Sequence, residues 1–307
     1  MTSVVIAAHN ESAVIGECIT TLLADAREGE FDVTVVANGC SDDTAAVAAS
    51  YAGVRVIDLS EASKSAALNA GDQVALGFPR IYLDADIMAT TATARALRDS
   101  LTQPSARLGV MPLAAVPSRR LELSGRPLLV RSYFAISSRL PAFSTGLFGR
   151  GMIALSAEAR SRFDRFPGMI ADDLFLDSLY STNEKVQLDE VSTVVETPLH
   201  TRDLLRRLVR VRRGNAQMRA AAQAGTVAVE VRPSDRWSWL RDVVVPHPWL
   251  APAGVVYVVI TALAARGAKR APQKGNEWGR DASTRTGPAA PASAVPLPRS
   301  EKREPHG

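Results

Sequence analysis

The stretch Arg80-Ile81-Tyr82-Leu83-Asp84-Ala85-Asp86-Ile87 reads as a short apolar strand that ends by presenting two carboxylates. Side chains alternate across a strand with period two, so Asp84 and Asp86 leave the same face, and their charges repel unless a cation lies beside them. An isolated Asp-x-Asp is most often a pair of solvated loop residues. The chain on either side therefore decides what this pair is for.

Three strand-loop-helix units precede it. Thr2–Ala8 is continuously apolar and β-branched, as a strand buried on both faces should be, and Val14, Ile15, Cys18, Ile19, Leu22 and Leu23 follow at helical spacing. Phe31–Ala37 predicts a second strand. The polar turn Asn38-Gly39-Cys40-Ser41-Asp42-Asp43-Thr44 then opens an Ala-rich helix with Ser41 or Asp42 as its cap. Val54–Leu59 is a third strand, Ser63–Ala75 a helix, and Ile81–Leu83 the fourth strand. Strands alternating with helices in this way predict an α/β fold with a mostly parallel, Rossmann-like sheet flanked by helices. Ligands of such sheets bind outside the C-terminal strand ends, which puts Glu11, Asn38, Asp42, Asp84 and Asp86 on one rim. Neither Gly-x-Gly-x-x-Gly nor Gly-Lys-Ser/Thr follows the first strand, so dinucleotide oxidoreductases and P-loop NTPases lose their main support.

At 307 residues the chain can bury a large core without staples. From Arg266 onward nine Lys/Arg stand against four Asp/Glu, so the net charge of +4 resides in the tail and residues 1–265 carry −1. A body without basic excess does not suit nucleic acid as a partner. Cys18 and Cys40 are too few for a structural zinc site and read as reduced thiols. The N-terminus lacks a basic n-region and an h-region, so the body is expected in the cytoplasm.

Beyond the Asp pair, Thr93–Leu101 reads as helical, Leu108–Ala115 as extended, Pro127–Ser138 as helical and Ser144–Gly151 as a Gly-punctuated loop. Asp172 and Asp173 stand in the first turn of a helix, where the macrodipole alone favours acids by about 0.3–1 kcal/mol each. Val186–Glu196 resembles a strand. Arg202–Arg219 is a helix with seven arginines and one acid, interrupted at Gly214, and implies an anionic partner.

The succession Ala7-Ala8-His9-Asn10-Glu11, Val36-Ala37-Asn38-Gly39-Cys40-Ser41-Asp42-Asp43-Thr44, Lys64-Ser65-Ala66-Ala67-Leu68-Asn69-Ala70-Gly71, Asp84-Ala85-Asp86 and Asp172-Asp173 resembles the inverting family 2 glycosyltransferases. The resemblance spans roughly residues 2–220 and rests on order and spacing. It implies the GT-A fold, a nucleotide-diphospho-sugar donor, a hydroxyl acceptor and Mg²⁺ or Mn²⁺. Residue by residue, it assigns Glu11, Asn38 and Asp42 to the nucleoside and Lys64 to the diphosphate or nucleoside loop. Asp84 falls to ribose and metal, and Asp86 to the metal. Asp173 would be the catalytic base with Asp172 as its neighbour, and Arg210 and Arg213 would stand near the diphosphate although no Gln-x-x-Arg-Trp is present. Ala37 replaces the acid that the family commonly places before Asn-Gly-Ser, which weakens the usual reader of the base. That departure supports an alternative, a non-catalytic sugar-nucleotide-binding or scaffold protein; a nucleotidyltransferase is more distant.

The domain organisation expected is a catalytic domain over 1–225, with a nucleotide-sugar half over 1–105 and an acceptor half over 106–225. An extension follows over 226–281, with an apolar segment at 243–265. A Pro/Ala/Ser-rich disordered tail closes the chain at 282–307. Trp249–Ala265 is free of charge, with Trp237 and Trp239 before it and Arg266, Lys269 and Arg270 after it. Aromatic and basic flanks of this kind fit association of residues 243–270 with the inner face of a membrane, whether spanning, lying on it or re-entrant, with a cell-envelope or lipid-linked acceptor. A helix buried on the catalytic domain is the alternative.

Overall fold

The computed structural model describes residues 1–105, 109–169, 171–233 and 235–270. Residues 276–281, expected to be too specific for a linker, and the tail at 282–307 lie outside the described residues.

The chain alternates as its apolar periodicity predicts. Strand β1 (Thr2–Ala8) has every residue buried, and helix α1 (Ile15–Leu23) closes over it with Ile15, Cys18, Ile19 and Leu22. Then come β2 (Phe31–Asn38), α2 (Thr44–Ala49), β3 (Val54–Leu59), α3 (Lys64–Val74), β4 (Arg80–Asp84) and α4 (Thr91–Ser100). The second half runs β5 (Ala114–Glu122), α5 (Leu128–Ser137), α6 (Pro141–Thr145), β6 (Met152–Leu155), α7 (Ala157–Arg160), α8 (Asp172–Leu179), β7 (Lys185–Glu196), α9 (Thr201–Gln223) and α10 (Ala251–Arg270).

Seven strands form one sheet in the order β3-β2-β1-β4-β6-β5-β7, parallel throughout except for β6, which pairs antiparallel with β4 and β5. Two apolar layers cover it. One contains Val4, Ile6, Ile19, Leu22 and Leu97; the other contains Val5, Tyr82, Ile153, Phe166 and Phe175. Helix α3 approaches β1 closely at Gly71, where a Cβ would lie 2.3 Å from Val5 Cγ1. Any larger residue there would push away the helix that carries Lys64.

Three expectations are corrected. Residues 109–113 are not a strand: β5 begins at Ala114 and continues through the polar run Ser118–Glu122, which pairs with β7 beyond a bulge at Pro117/Ser118. An edge ribbon needs no apolar pattern, so periodicity missed it. The expected loop over 144–151 begins inside α6, which ends at Thr145. Helix α9 is not interrupted at Gly214 but runs on to Gln223, with Gly214 buried within it; tertiary packing outweighs the roughly 1 kcal/mol helix penalty of glycine.

Behind the sheet, α10 packs along α5 and α9. Val130, Leu204 and Ile260 form one small core, Tyr257 stacks on Tyr133 at 5.3 Å, and a Cβ on Gly267 would meet Val209 at 2.8 Å.

Candidate active site

A cleft of about 300 Å³ opens at the C-terminal ends of the parallel strands, where the loops converge. Glu11, Lys64, Asp84, Asp86, Asp172, Asp173, Arg207 and Arg210 all line it.

Lys64 links the two halves of this cleft. It is the first residue of α3, whose start is fixed by Ser63 accepting a hydrogen bond from the Ala66 N–H. Its Nζ lies 2.6 Å from Asp84 Oδ1 and 2.9 Å from Asp172 Oδ2. A cation at a helix N-terminus opposes the macrodipole, so the two carboxylates must outweigh it. Burial pulls the ammonium down, yet Asp172 and Asp84 together hold it above the usual lysine range. Further along α3, the Asn69 amide brackets the Phe166 peptide, accepting from its N–H at 2.7 Å and donating to its carbonyl at 3.0 Å. The same helix therefore supplies the lysine and anchors the segment leading to α8.

Helix α8 begins with Asp172 and Asp173, and the two neighbours have different environments. Asp172 is ion-paired with Lys64. Asp173 is pushed up to about 6, first by burial and then by the charges of Asp172 and Asp84, against the opposing pull of Lys64 and of the Leu174 N–H. A carboxylate raised towards neutral pH, beside one ion-paired with a lysine, is an arrangement suited to general-base chemistry.

On the other side, Asp84, Asp86 and Glu11 converge above Cys18. The Cys18 thiol is pushed up to about 12, by burial first and then by Asp86, Asp84 and Glu11, which records how concentrated the negative charge is here. Gly151 forms the floor: its carbonyl accepts from the Asp84 N–H at 2.8 Å, and at φ +66° a Cβ would lie 3.2 Å from Asp84 Oδ2. A pair of carboxylates with open space beside them fits Mg²⁺ or Mn²⁺, which take one or two protein carboxylates and complete their shell with phosphate and water. No cluster of three or more His, Cys, Asp or Glu suited to a metal exists among the described residues.

The arginines divide by helical phase. Arg207, Arg210, Val211, Gly214 and Asn215 form the stripe of α9 that lines the cleft, whereas Arg213 lies outside that stripe. Arg207 was one of seven in the sequence and was not singled out. The 3.6-residue period counted from Gly214 would have found it.

Asn38 and Asp42 do not line the cleft. Asn38 is fully buried and donates to the Ala8 carbonyl at 2.7 Å, joining the ends of β1 and β2, while its own carbonyl meets His9 Nδ1 at 2.6 Å. Asp42 accepts from the Thr44 hydroxyl and from the Ser12 N–H at 3.2 Å. Burial would raise its carboxyl, but these bonds hold it below the usual carboxylate range. Both residues shape the loops beside Glu11, whose own N–H donates to Thr44 Oγ1 at 2.7 Å.

Comparisons with known proteins agree with this architecture. Residues 3–126 match the family described as glycosyl transferase family 2, bearing out the resemblance read from the motifs. No curated protein matches the chain. Among solved structures, the mannosyltransferase PcManGT from Pyrobaculum calidifontis, in complex with GDP-Man and Mn²⁺, is 19% identical. The match covers 87% of this chain and 79% of that one, with a TM-score of 0.56. Glucosyl-3-phosphoglycerate synthase from Mycobacterium tuberculosis, in complex with Mn²⁺, UDP and glucosyl-3-phosphoglycerate, is also 19% identical, covering 75% and 81% with a TM-score of 0.52. At such identities the likeness is one of fold, and the fold is the GT-A type.

Proposed function

We propose that this protein, whose residues 3–126 match glycosyl transferase family 2, is a metal-dependent, inverting glycosyltransferase. It moves a sugar from a nucleotide-diphospho-sugar to an acceptor hydroxyl. The observation that carries the reading is the Asp84–Lys64–Asp172 bridge, which brings the two acidic pairs of the sequence together in one cleft. The Mn²⁺ bound by both structural neighbours named above supports the metal part of the reading.

Asp86 and Asp84 would hold the ion, which supplies Lewis-acid stabilisation of the departing diphosphate. Arg210 faces the same cleft and neutralises diphosphate charge. Asp173 takes the proton of the acceptor hydroxyl. A single base acting opposite the leaving group gives inversion and contributes roughly 10²- to 10⁴-fold. Glu11 and the loop held by Asn38 and Asp42 are assigned to the nucleoside. Asp172 keeps Lys64 in place, and Lys64 in turn fixes Asp84. Arg213 has only the resemblance behind it.

The test is release of nucleoside diphosphate from a panel of UDP-, GDP- and dTDP-sugars with Mn²⁺. Turnover should be lost in both Asp86→Ala and Asp173→Asn. Undiminished turnover in both variants would remove both assignments.

The acceptor is read as a cell-envelope or lipid-linked hydroxyl compound met at the inner membrane face. The helical segment 248–270 is the one among the described residues long and apolar enough to cross a membrane. On its inner face Ile260 packs with Val130 of α5 and Leu204 of α9, Gly254 lies against Trp239 and Val244, and Ala264 is buried, while Val255, Val259 and Leu263 are exposed. Trp249, 74% exposed, and Leu128 and Leu129 of α5 extend the outer apolar surface. A helix held to its own domain along its length lies on a bilayer more readily than it spans one.

A further inference from the structure

Arg119, Arg150 and Arg207 form a cluster of guanidinium groups on the β5–β7 side of the cleft, away from the acids of the donor half. Arg119 lies on β5 with its guanidinium carbon 3.9 Å above the Phe143 ring. Among the described residues its side chain makes no hydrogen bond and no ion pair, and its Nη2 is buried without a partner. Arg150, fully buried, spends its donors on neutral acceptors: the carbonyls of Phe143 and Phe148 and the side-chain oxygen of Gln187. Arg207 lines the cleft and donates to the Glu196 carbonyl at 3.3 Å. The carboxylate of Glu196, also at the cleft, is already paired with Arg126 at 2.5 Å.

So much positive charge without a bonded carboxylate is costly to bury. Burial, reinforced by the charges of Arg150 and Arg207, pulls the Arg119 guanidinium down to about 10. The wall between Arg119 and the cleft is Gly149, at φ +75°, and a Cβ there would stand 3.1 Å from Arg119 Nη1. Gly149 lines the cleft and Arg119 stands directly behind it, so no side chain at 149 separates the guanidinium from the cleft, and stacking on Phe143 fixes the plane of its fork.

We propose that Arg119 and Arg207 form an oxyanion subsite on the acceptor side of the cleft, taking a phosphate or carboxylate group of the acceptor. This assignment to the acceptor rests on the glycosyltransferase reading above. Strand β5 is two strands from β4 in the sheet, roughly 10 Å away at the usual strand spacing. The transferred sugar therefore has room between Asp84 and Arg119. A donor diphosphate held at Asp84 and Asp86 would be met by Arg210, and Arg119 would remain for a second anion. Planar, bidentate recognition of carboxylate or phosphate is what arginine supplies best.

The test uses the full chain saturated with Mn²⁺ and whichever of UDP, GDP or dTDP binds. Inorganic phosphate and, in parallel, acetate are then titrated against it by calorimetry. Wild type should bind one of the two saturably, and the tighter one names the group. Arg119→Gln and, separately, the less buried Arg207→Gln should each weaken that binding at least tenfold, with nucleoside diphosphate affinity changed less than twofold. If neither anion binds wild type, or both variants bind it undiminished, the subsite is refuted. If nucleoside diphosphate affinity falls in step with anion binding, the arginines belong to the donor and the proposal fails. Absence of any nucleoside diphosphate binding would instead remove the glycosyltransferase reading and, with it, the assignment to an acceptor.

Discussion

Lys64 Nζ stands 2.9 Å from Asp172 Oδ2, although the two residues are far apart in the sequence. Through this contact, and the 2.6 Å contact to Asp84, the acidic pair after β4 and the acidic pair opening α8 share one cation. Asp173, next in the chain, is left without an ion pair of its own among the described residues and faces the charges of both neighbours.

The first prediction concerns Asp173. In the proposed role of base it must be ionised, so turnover should rise with pH along a limb near 6, and Asp173→Asn should lower kcat by roughly 10²- to 10⁴-fold. Stability moves the other way. The folded carboxyl titrates at about 6 against an ordinary value of 3.8, so between those values the folded state holds the extra proton. Stability therefore falls as pH rises through this window, by on the order of 2–3 kcal/mol once pH exceeds 6. Asp173→Asn should melt several degrees above wild type at pH 8, with the gap closing by pH 4. Equal melting temperatures at pH 8 would show that the carboxylate is not held under this strain.

Lys64→Met removes the shared cation while keeping the length of the stem. With Asp84, Asp172 and Asp173 then facing one another, breaking the pair should cost about 2–4 kcal/mol. The activity limb should move above pH 6, because the Lys64 charge that lowers Asp173 is gone. Lys64 itself titrates above the ordinary lysine value, so its own contribution is fully present below that value and is lost only as pH rises through the folded one. Melting curves between pH 6 and 9 should thus show a deficit that Lys64 titration does not modulate. A limb that stays in place would mean that Lys64 does not govern the base.

Much of this site was legible before the fold. The alternation of apolar runs gave β1 to β4, and strand polarity then put Glu11, Asp84 and Asp86 on one rim. Asp172 and Asp173 were recognisable only as helix-start acids or by resemblance, since nothing local says that Asn69 will anchor Phe166 and so deliver them to Lys64. Asn38 and Asp42 had the composition of ligand residues but are used within the loops, because buried backbone at the β1 and β2 ends also needs partners. Arg119 was hidden for the opposite reason. It lies in the polar half of an edge ribbon whose pairing with β7 is set by tertiary contact.

Gly151→Ala tests the floor beneath the acidic pair. The substitution places an alanine at φ +66° and a Cβ 2.3 Å from Ile87 Cγ1 and 3.2 Å from Asp84 Oδ2. Strain of about 1–3 kcal/mol is expected, together with displacement of Asp84. Mn²⁺ affinity, followed by calorimetry with nucleoside diphosphate present, should fall at least tenfold. A variant that is destabilised but binds Mn²⁺ as wild type does would separate the turn from the metal site.

The last prediction addresses α10. Val255, Val259 and Leu263 lie at successive i, i+4 positions and are exposed, while Gly254, Ile260 and Ala264 are buried against the domain. Aspartate at all three outer positions alters no buried contact, and such surface changes usually remain within about 0.5 kcal/mol each. The melting temperature should therefore be nearly unchanged. Binding to anionic vesicles should behave differently. Three apolar side chains would no longer enter the interface, and three negative charges would face a negative surface, where each basic residue is worth about 1 kcal/mol and each acid opposes it. Sedimentation with phosphatidylserine-containing vesicles should retain wild type and release the triple variant. If α10 instead crossed the bilayer, one charged ring would abolish folding in vesicles and alkaline carbonate would fail to extract wild type; if it served only as a packing helix, neither protein would sediment. Extraction of wild type by carbonate, with the triple variant remaining in the supernatant, is the result that places the helix on the surface.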